Sequence, residues 1–314
     1  MLSYYIDHFS PFIVEFWNGF GIRWYGTAYV LAFLVGYQML RWFSRRGYSE
    51  LPEEKVGDFV AATALFGVLL GGRLGFFLFY DLHTLLQNPL SFFMVWKGGM
   101  ASHGGILGIV LFTLWYARKH KVSWMGLGDN LVVAAPLGIF FGRCANFING
   151  ELYGRIAHVP WAVQFPMELI QDPALGQQAV EAVTAQVDPA LNTPELIVHA
   201  AQTSEPVRAV LADILHPRYP SQLIEAGLEG LLLFALLWFI RTRKRVAEGV
   251  TSGAFFVLYA AARIFGEQFR EPDVGVPFTL GLTRGQFLSL FMILFGAWLI
   301  LNAVRRNRPA PHPG

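Results

Sequence analysis

Gly142-Arg143-Cys144-Ala145-Asn146-Phe147-Ile148-Asn149-Gly150-Glu151-Leu152-Tyr153-Gly154-Arg155 follows an apolar run from Leu131 to Phe141. Two arginines, two asparagines and a glutamate stand where that run ends. Ionisable groups at a membrane boundary are costly and mark a site or a pathway. If the helix continues through the stretch, Arg143, Asn146, Asn149 or Gly150, and Gly154 share one face by the i, i+3, i+4 rule. That face could hold an anion between a guanidinium fork and two amides. A helix end capped by asparagines, with an interfacial arginine, is the plainer alternative, and these residues alone leave both open.

The composition decides the solvent. Of 314 residues, 54% are hydrophobic and 15% charged, and the mean hydropathy is +0.43. A soluble domain carries about 25% charged residues, so the chain is read as a membrane protein. Its 28 phenylalanines and 9 tryptophans suit lipid faces and interfacial belts. A net charge of +2 is too small to point to nucleic acid. The single cysteine, Cys144, excludes an intrachain disulfide and a multi-cysteine metal site. The first basic residue is Arg23, so no cleavable signal peptide is expected, and residues 1–18 read as an interfacial arm.

A span needs about 20 mostly apolar residues. Seven candidates follow in order: Trp24 to Leu40, the stretch between Asp58 and Asp81, Gly98 to Ala117, the stretch between Lys121 and Arg143, Ser221 to Ile240, Val250 to Gly266, and Gly285 to Val304. The expected architecture is an all-α bundle in four sections: helices 1–4 with the arm (1–154), a small extracytoplasmic head (155–220), helices 5–7 (221–304) and a tail (305–314). The head is rich in proline and should rest on the bundle rather than fold alone. The Pro- and Arg-rich tail is expected to be disordered. No fixed-period or inverted repeat is apparent.

Lysine and arginine set the orientation. One set of loops carries Arg41, Arg45, Arg46 and Lys55, then Arg118, Lys119 and Lys121, then Arg241, Arg243, Lys244 and Arg245, then Arg305, Arg306 and Arg308. The opposite set carries Lys97, Arg155, Arg208, Arg218, Arg270 and Arg284, spread over longer segments. The first set is expected in the cytoplasm, which places the N-terminus and the head outside and the C-terminus inside.

Other polar groups mark candidate chemistry. Tyr25, in Arg23-Trp24-Tyr25-Gly26, is either an aromatic-belt residue or a hydroxyl directed into a site. Arg73 sits among Gly71, Gly72 and Gly75, where glycines let helices approach; an ion pair with Glu225 or Glu229 is its structural alternative. His103 precedes Gly104 and Gly105. It is a candidate proton acceptor near pH 7 or, as readily, a packed hydrogen-bonding residue. Gln222, Glu225 and Glu229 form a polar stripe expected to pair with arginines. Tyr259, Arg263, Glu267 and Arg270 share one face of the sixth span, and Arg263 with Glu267 is an i, i+4 pair. Inside a bundle such a pair can hold a guanidinium rigid for a phosphate. No second histidine stands at metal-ligand spacing, so no metal is expected.

The pattern G-R-x-x-N-F-x-N-x-E-x-x-G resembles the signature of the prolipoprotein diacylglyceryl transferases. These bacterial inner-membrane enzymes move diacylglycerol from phosphatidylglycerol to a lipoprotein cysteine. The resemblance runs in order through Arg-Trp-Tyr-Gly, Gly-Gly-Arg-Leu-Gly, His-Gly-Gly, the 142–155 stretch, Pro-Ser-Gln-Leu and the Arg263/Glu267 helix. It implies that Arg143 binds the phosphatidylglycerol head group and that Arg263 is also essential. It further implies functional roles for Tyr25, His103, Asn146, Glu151, Gly154 and Glu267. The candidate lipid-binding residues are thus Arg143, Asn146, Asn149, Glu151, Gly154, Arg263, Glu267 and Arg73; the candidate catalytic residues are His103, Tyr25, Arg143 and Arg263, with His103 or Tyr25 as the proton acceptor.

In the implied reaction, a cysteine thiol in the lipobox of a prolipoprotein signal peptide attacks the glyceryl carbon that bears the phosphodiester. A thioether forms and glycerol 1-phosphate leaves, with no metal or organic cofactor called for. Two departures concern the peptide more than the lipid. Tyr219 and Ile224 stand where the family commonly has His and Tyr, and the head looks longer than usual. A transporter would show repeats and midplane breaks, and an intramembrane protease would need a nucleophile motif that the chain lacks. A purely structural membrane protein would not need so many polar residues inside its helices.

Overall fold

The computed structural model describes residues 4–17, 19–94, 98–271 and 281–312. Lys97 of the orientation argument and Pro313 of the tail lie outside them. The chain is mostly helical, and four helices are long and apolar enough to cross a membrane: Glu53–Tyr80, Trp124–Ile148, Ser221–Arg243 and Arg284–Arg306. Val250–Gly266 is a shorter apolar helix. Trp24–Arg45 and Ser102–His120 are also helical, with 22 and 19 residues. The fold is thus that of a multi-pass membrane protein.

The all-α expectation needs correction at two short sheets. Strands β2 (Phe12–Trp17) and β3 (Phe20–Arg23) form an antiparallel hairpin that runs directly into the helix at Trp24. Strand β1 (Tyr5–Ile6) pairs in parallel with β4 (Val163–Gln164), which pairs antiparallel with β5 (Pro217–Arg218). These segments are too short and too proline-interrupted for a helix, and cross-chain pairing satisfies their backbone groups instead.

Two compact units divide the chain, and their boundaries fall inside helices. The first holds residues 1–32, 135–236 and 255–297. Its head has an apolar core of Leu169, Leu175, Ala179, Val183, Ile197, Val207 and Leu211, joined by Ile6 of the arm. Local sequence builds the head helices. Asp172, Thr193 and Ser204 cap Pro173–Gln186, Pro194–Ala201 and Glu205–Leu211, each with proline in the first turn. Each cap is worth about 1 kcal/mol, and proline at a helix start loses no hydrogen bond. Buried Glu168 fastens the base of the head, 2.6 Å from Arg218 Nη2 and 2.8 Å from His216 Nδ1. Arg218 also lies 4.7 Å from the centre of the Tyr153 ring, whose hydroxyl burial pushes up to about 12.

The second unit holds residues 33–134, 237–254 and 298–314. In it the helix Glu53–Tyr80 packs antiparallel on Ser102–His120 through facing small residues. A Cβ at Gly71 would lie 2.7 Å from the Gly104 carbonyl oxygen and 2.8 Å from Gly108 Cα. This spacing of four is the small-residue seam that lets membrane helices touch backbone to backbone. The tail departs from the expected disorder. Ala310 N–H donates to the Val246 carbonyl (3.1 Å), and Pro309 bridges Ala247. The cause is Arg241, only 1% exposed, which needs acceptors. It takes Asn130 Oδ1 (2.8 Å), the Tyr48 carbonyl and the Pro311 carbonyl (3.1 Å).

Candidate active site

The helix does not continue through the 142–155 stretch. It ends at Ile148. Gly150, at φ +66°, donates to the Phe147 carbonyl (2.9 Å), and Glu151 N–H donates to the Asn146 carbonyl (3.0 Å). This is a Schellman stop, in which a left-handed glycine ends the helix and two further bonds satisfy its last carbonyls. Gly154 is therefore not on the helical face with Arg143. It meets Arg270 in a backbone bridge, and its N–H donates to the Tyr219 carbonyl (2.9 Å). A Cβ there would lie 2.7 Å from that carbonyl oxygen, so only glycine fits.

The side chains of the two asparagines do not cap the helix but turn to Glu151. Asn146 Nδ2 donates to Glu151 Oε1 at 2.8 Å, and Asn149 Nδ2 donates to the same oxygen at 3.4 Å. Glu151 Oε2 has no hydrogen-bond partner among the described residues. Gln222 Nε2 donates to the Glu151 carbonyl (2.8 Å) and Ser221 Oγ to the Leu152 carbonyl (3.2 Å), so the Pro-Ser-Gln-Leu segment holds the turn. Asn149 and Glu151 line a cavity of about 840 Å³ with Arg23, Tyr25 and Thr27.

Arg143 points instead to the stripe on the helix Ser221–Arg243. Its Nε lies 3.0 Å from Glu225 Oε2 and its Nη2 lies 3.4 Å from Glu229 Oε2. Arg263 reaches the other oxygens of the same acids, Glu225 Oε1 at 3.2 Å and Glu229 Oε1 at 3.4 Å, and Glu267 Oε2 at 3.1 Å. Arg270 lies 4.0 Å from Glu225 Oε1. Three arginines thus interleave with three buried glutamates. The expected pairing of the stripe with arginines is observed. Gly230 allows it, since a Cβ there would lie 2.7 Å from Phe140 Cβ and push the two helices apart.

Glu225 and Glu229 are 1% and 0% exposed, whereas the Arg143 and Arg263 side chains keep 16% and 15%. The acids are sealed, and the two arginine side chains keep partial access. Arg143 Nη1 makes no hydrogen bond among the described residues. Such an arrangement offers oriented donors to an incoming anion without a reorganisation cost.

Arg73 and His103 belong to the second unit. Arg73 pairs with neither Glu225 nor Glu229. Its five N–H groups donate to the carbonyls of Phe92 (2.9 Å), Gly98, Gly99 (2.9 Å), Ser91 (2.5 Å) and Met94 (3.0 Å). A guanidinium has five donors, so none remains for a lipid phosphate, and Arg73 ties Ser91, Phe92 and Met94 to Gly98 and Gly99. His103 is exposed on the first turn of Ser102–His120 and has no hydrogen-bond partner among the described residues. The neighbouring Gly104 packs on Gly71 and Gly75, so it serves the helix seam rather than a ligand. Sequence reasoning did not single out Arg23 as a cavity residue or Arg241 as the anchor of the tail. The signal for both was a basic residue at the edge of an apolar helix.

Fold and site together define a multi-pass membrane protein with a charge-balanced interior cluster that presents guanidinium donors for an anionic group. The chain belongs to the prolipoprotein diacylglyceryl transferase family, which it matches over residues 11–302. It is similar to the phosphatidylglycerol–prolipoprotein diacylglyceryl transferase of Rhodospirillum centenum, at 42% identity over 90% of this chain and 87% of the relative. The enzyme of the same name from Azospirillum brasilense is 40% identical over 92% of each chain. That of Bdellovibrio bacteriovorus is 38% identical over 94% of this chain and 93% of the relative.

Proposed function

We propose that this chain transfers the diacylglyceryl group of phosphatidylglycerol to the cysteine thiol of a prolipoprotein, with Arg143 and Arg263 holding the phosphodiester. The observation that carries this reading is the pair of guanidiniums, from two helices, fixed by the same two buried carboxylates. Glu225 and Glu229 orient them, and their remaining N–H groups meet the phosphate oxygens. The thiolate sulfur then bonds to the glyceryl carbon, the C–O bond to phosphate breaks, and glycerol 1-phosphate leaves with the electron pair. Charge grows on the leaving phosphate as that bond breaks, where fixed guanidiniums stabilise it most. Tyr25 or His103 takes the thiol proton, and Tyr25 opens onto the same cavity as Asn149 and Glu151. The fixed Glu151 carboxylate repels a phosphate, so the two asparagines position Glu151 rather than bind the head group.

The same reading places the chain in the bacterial inner membrane. It crosses seven times, with the N-terminus and head outside and the tail in the cytoplasm, and it acts on the lipobox cysteine of a signal peptide. The excess of lysine and arginine on one set of loops supports this orientation. Purified protein incubated with phosphatidylglycerol and a lipobox peptide should yield thioether-linked peptide and glycerol 1-phosphate, and Arg143→Ala should yield neither. Product formation by a folded Arg143→Ala protein at the parent rate would exclude the site. A reporter active only in the cytoplasm, fused at Ala190, should be silent, and a signal there would reverse the orientation.

A further inference from the structure

The seam between Glu53–Tyr80 and Ser102–His120 changes character along its length. Around Gly67, Gly71 and Gly75 the backbones touch, and no side chain fits between them. Toward Lys55 the small residues give way to rings and a groove of about 220 Å³ opens. Its rungs follow the antiparallel register: Phe66 stacks on Phe112 with centroids 5.8 Å apart, Phe59 meets Tyr116 at 4.9 Å, and Lys55 Nζ lies 3.3 Å from His120 Nδ1. That last contact needs an unprotonated Nδ1. Lys119 Nζ lies 4.8 Å from the centre of the Trp115 ring, which the groove also includes.

The groove is therefore basic at one end and aromatic at the other. Two lysines face one acid, Asp58, which leaves the basic end net positive. From Lys55 to Phe66 the rise is about 16 Å at 1.5 Å per residue, close to the ~15 Å hydrocarbon depth of one leaflet. Phe66 and Trp115 are 49% and 52% exposed, so the groove is open along the side of a membrane-crossing helix. A glycerophospholipid has this same polarity, a phosphate above an acyl chain. Lysines that merely snorkelled would need no groove continuing below them.

We propose that this groove binds an anionic glycerophospholipid, its phosphate on Lys55 and Lys119 and one acyl chain along Phe66 and Phe112. The groove shares no residue with the Arg143 and Arg263 cluster, so the bound lipid is separate from the one consumed in the transfer reaction. Lys119, steadied over the Trp115 face, supplies a placed cation rather than a mobile one.

Native mass spectrometry of the purified full chain tests this with phosphatidic acid and, separately, phosphatidylethanolamine. Phosphatidic acid carries the phosphate without the head-group glycerol, and any occupancy at the Arg143 cluster is common to all variants and cancels in the comparison. The double variant Lys55→Gln/Lys119→Gln should bind phosphatidic acid about 30-fold more weakly, about fivefold per lysine, with phosphatidylethanolamine unaffected. Ala62→Trp, which fills the groove at unchanged charge, should lose the same lipid. Arg118→Gln/Lys121→Gln, with the same loss of charge outside the groove, should keep it. Inorganic phosphate in millimolar excess should not displace it. Equal binding by the parent and the Lys55/Lys119 variant would overturn the proposal. So would equal loss in the Arg118/Lys121 control, which means diffuse surface charge, or displacement by inorganic phosphate, which means a soluble anion site.

Discussion

Replacing Arg143 with lysine keeps the positive charge and removes the fork. In the parent, Nε and Nη2 address two different carboxylates, Glu225 at 3.0 Å and Glu229 at 3.4 Å. A lysine ammonium is a single compact charge and satisfies one of them at a time. The other keeps Arg263, which contacts both acids through their Oε1 atoms at 3.2 and 3.4 Å. Stranding a buried charge completely costs about 3–5 kcal/mol. With Arg263 in place, the stability loss should be smaller, about 1–2 kcal/mol. The functional loss should be larger, because the lysine no longer presents an oriented N–H to the phosphate. A hydrogen bond to a charged group is worth about 1.5–3 kcal/mol, which converts to about 10- to 150-fold in turnover. The assay is thioether formation from phosphatidylglycerol and a lipobox peptide, read beside the thermal midpoint in detergent. A second measurement isolates the pair, since Arg143→Lys and Glu225→Gln should be strongly non-additive in turnover. Lysine-variant turnover within twofold of the parent, with additive effects in the cycle, would refute the clamp.

His103→Gln should lower turnover while the thermal midpoint stays put, because the exposed ring makes no hydrogen bond among the described residues; loss of lipid binding together with chemistry would assign it a positioning role instead. Cys144→Ala should keep most activity. A thioether to Cys144 would be a poor leaving group and would halt the enzyme after one turnover, so a lipid adduct on Cys144 in the parent would overturn direct displacement. Asp7 gives a pH signature: burial pushes its carboxyl from 3.8 up to about 6. The folded state thus holds the proton more tightly than the unfolded chain. The associated stability is present below pH 3.8 and is lost as the pH rises through about 6. Asp7→Asn should therefore raise the thermal midpoint above pH 6, by up to about 3 kcal/mol in stability, and make no difference near pH 4. An offset that does not change between pH 4 and 8 would count against the buried carboxylate.

The one-dimensional pattern was sufficient wherever a local rule governs. Apolar length between basic flanks marks helices for the bilayer, because lipid cannot satisfy a bare backbone or a lone charge. Asp172, Thr193 and Ser204, each with a proline in the following turn, are local signals of this kind for the head helices, although the sequence reading did not use them. The polar stripe of Glu225 and Glu229 demands cationic partners, and Arg143 and Arg263 provide them. Partners distant in the chain were not legible in this way. Nothing near Arg73 in sequence says that its donors go to five carbonyls 18 to 26 residues later. Nothing near Arg241 says that the tail must fold back to receive its guanidinium. The asparagines of the signature could serve an anion, a helix end or a neighbouring acid. The choice fell to Glu151 because Gly150 turns the chain left-handed and brings that carboxylate back over the last helical turn. A sequence fixes what each side chain is able to bond, but which bond forms depends on the atoms that packing brings within about 3 Å.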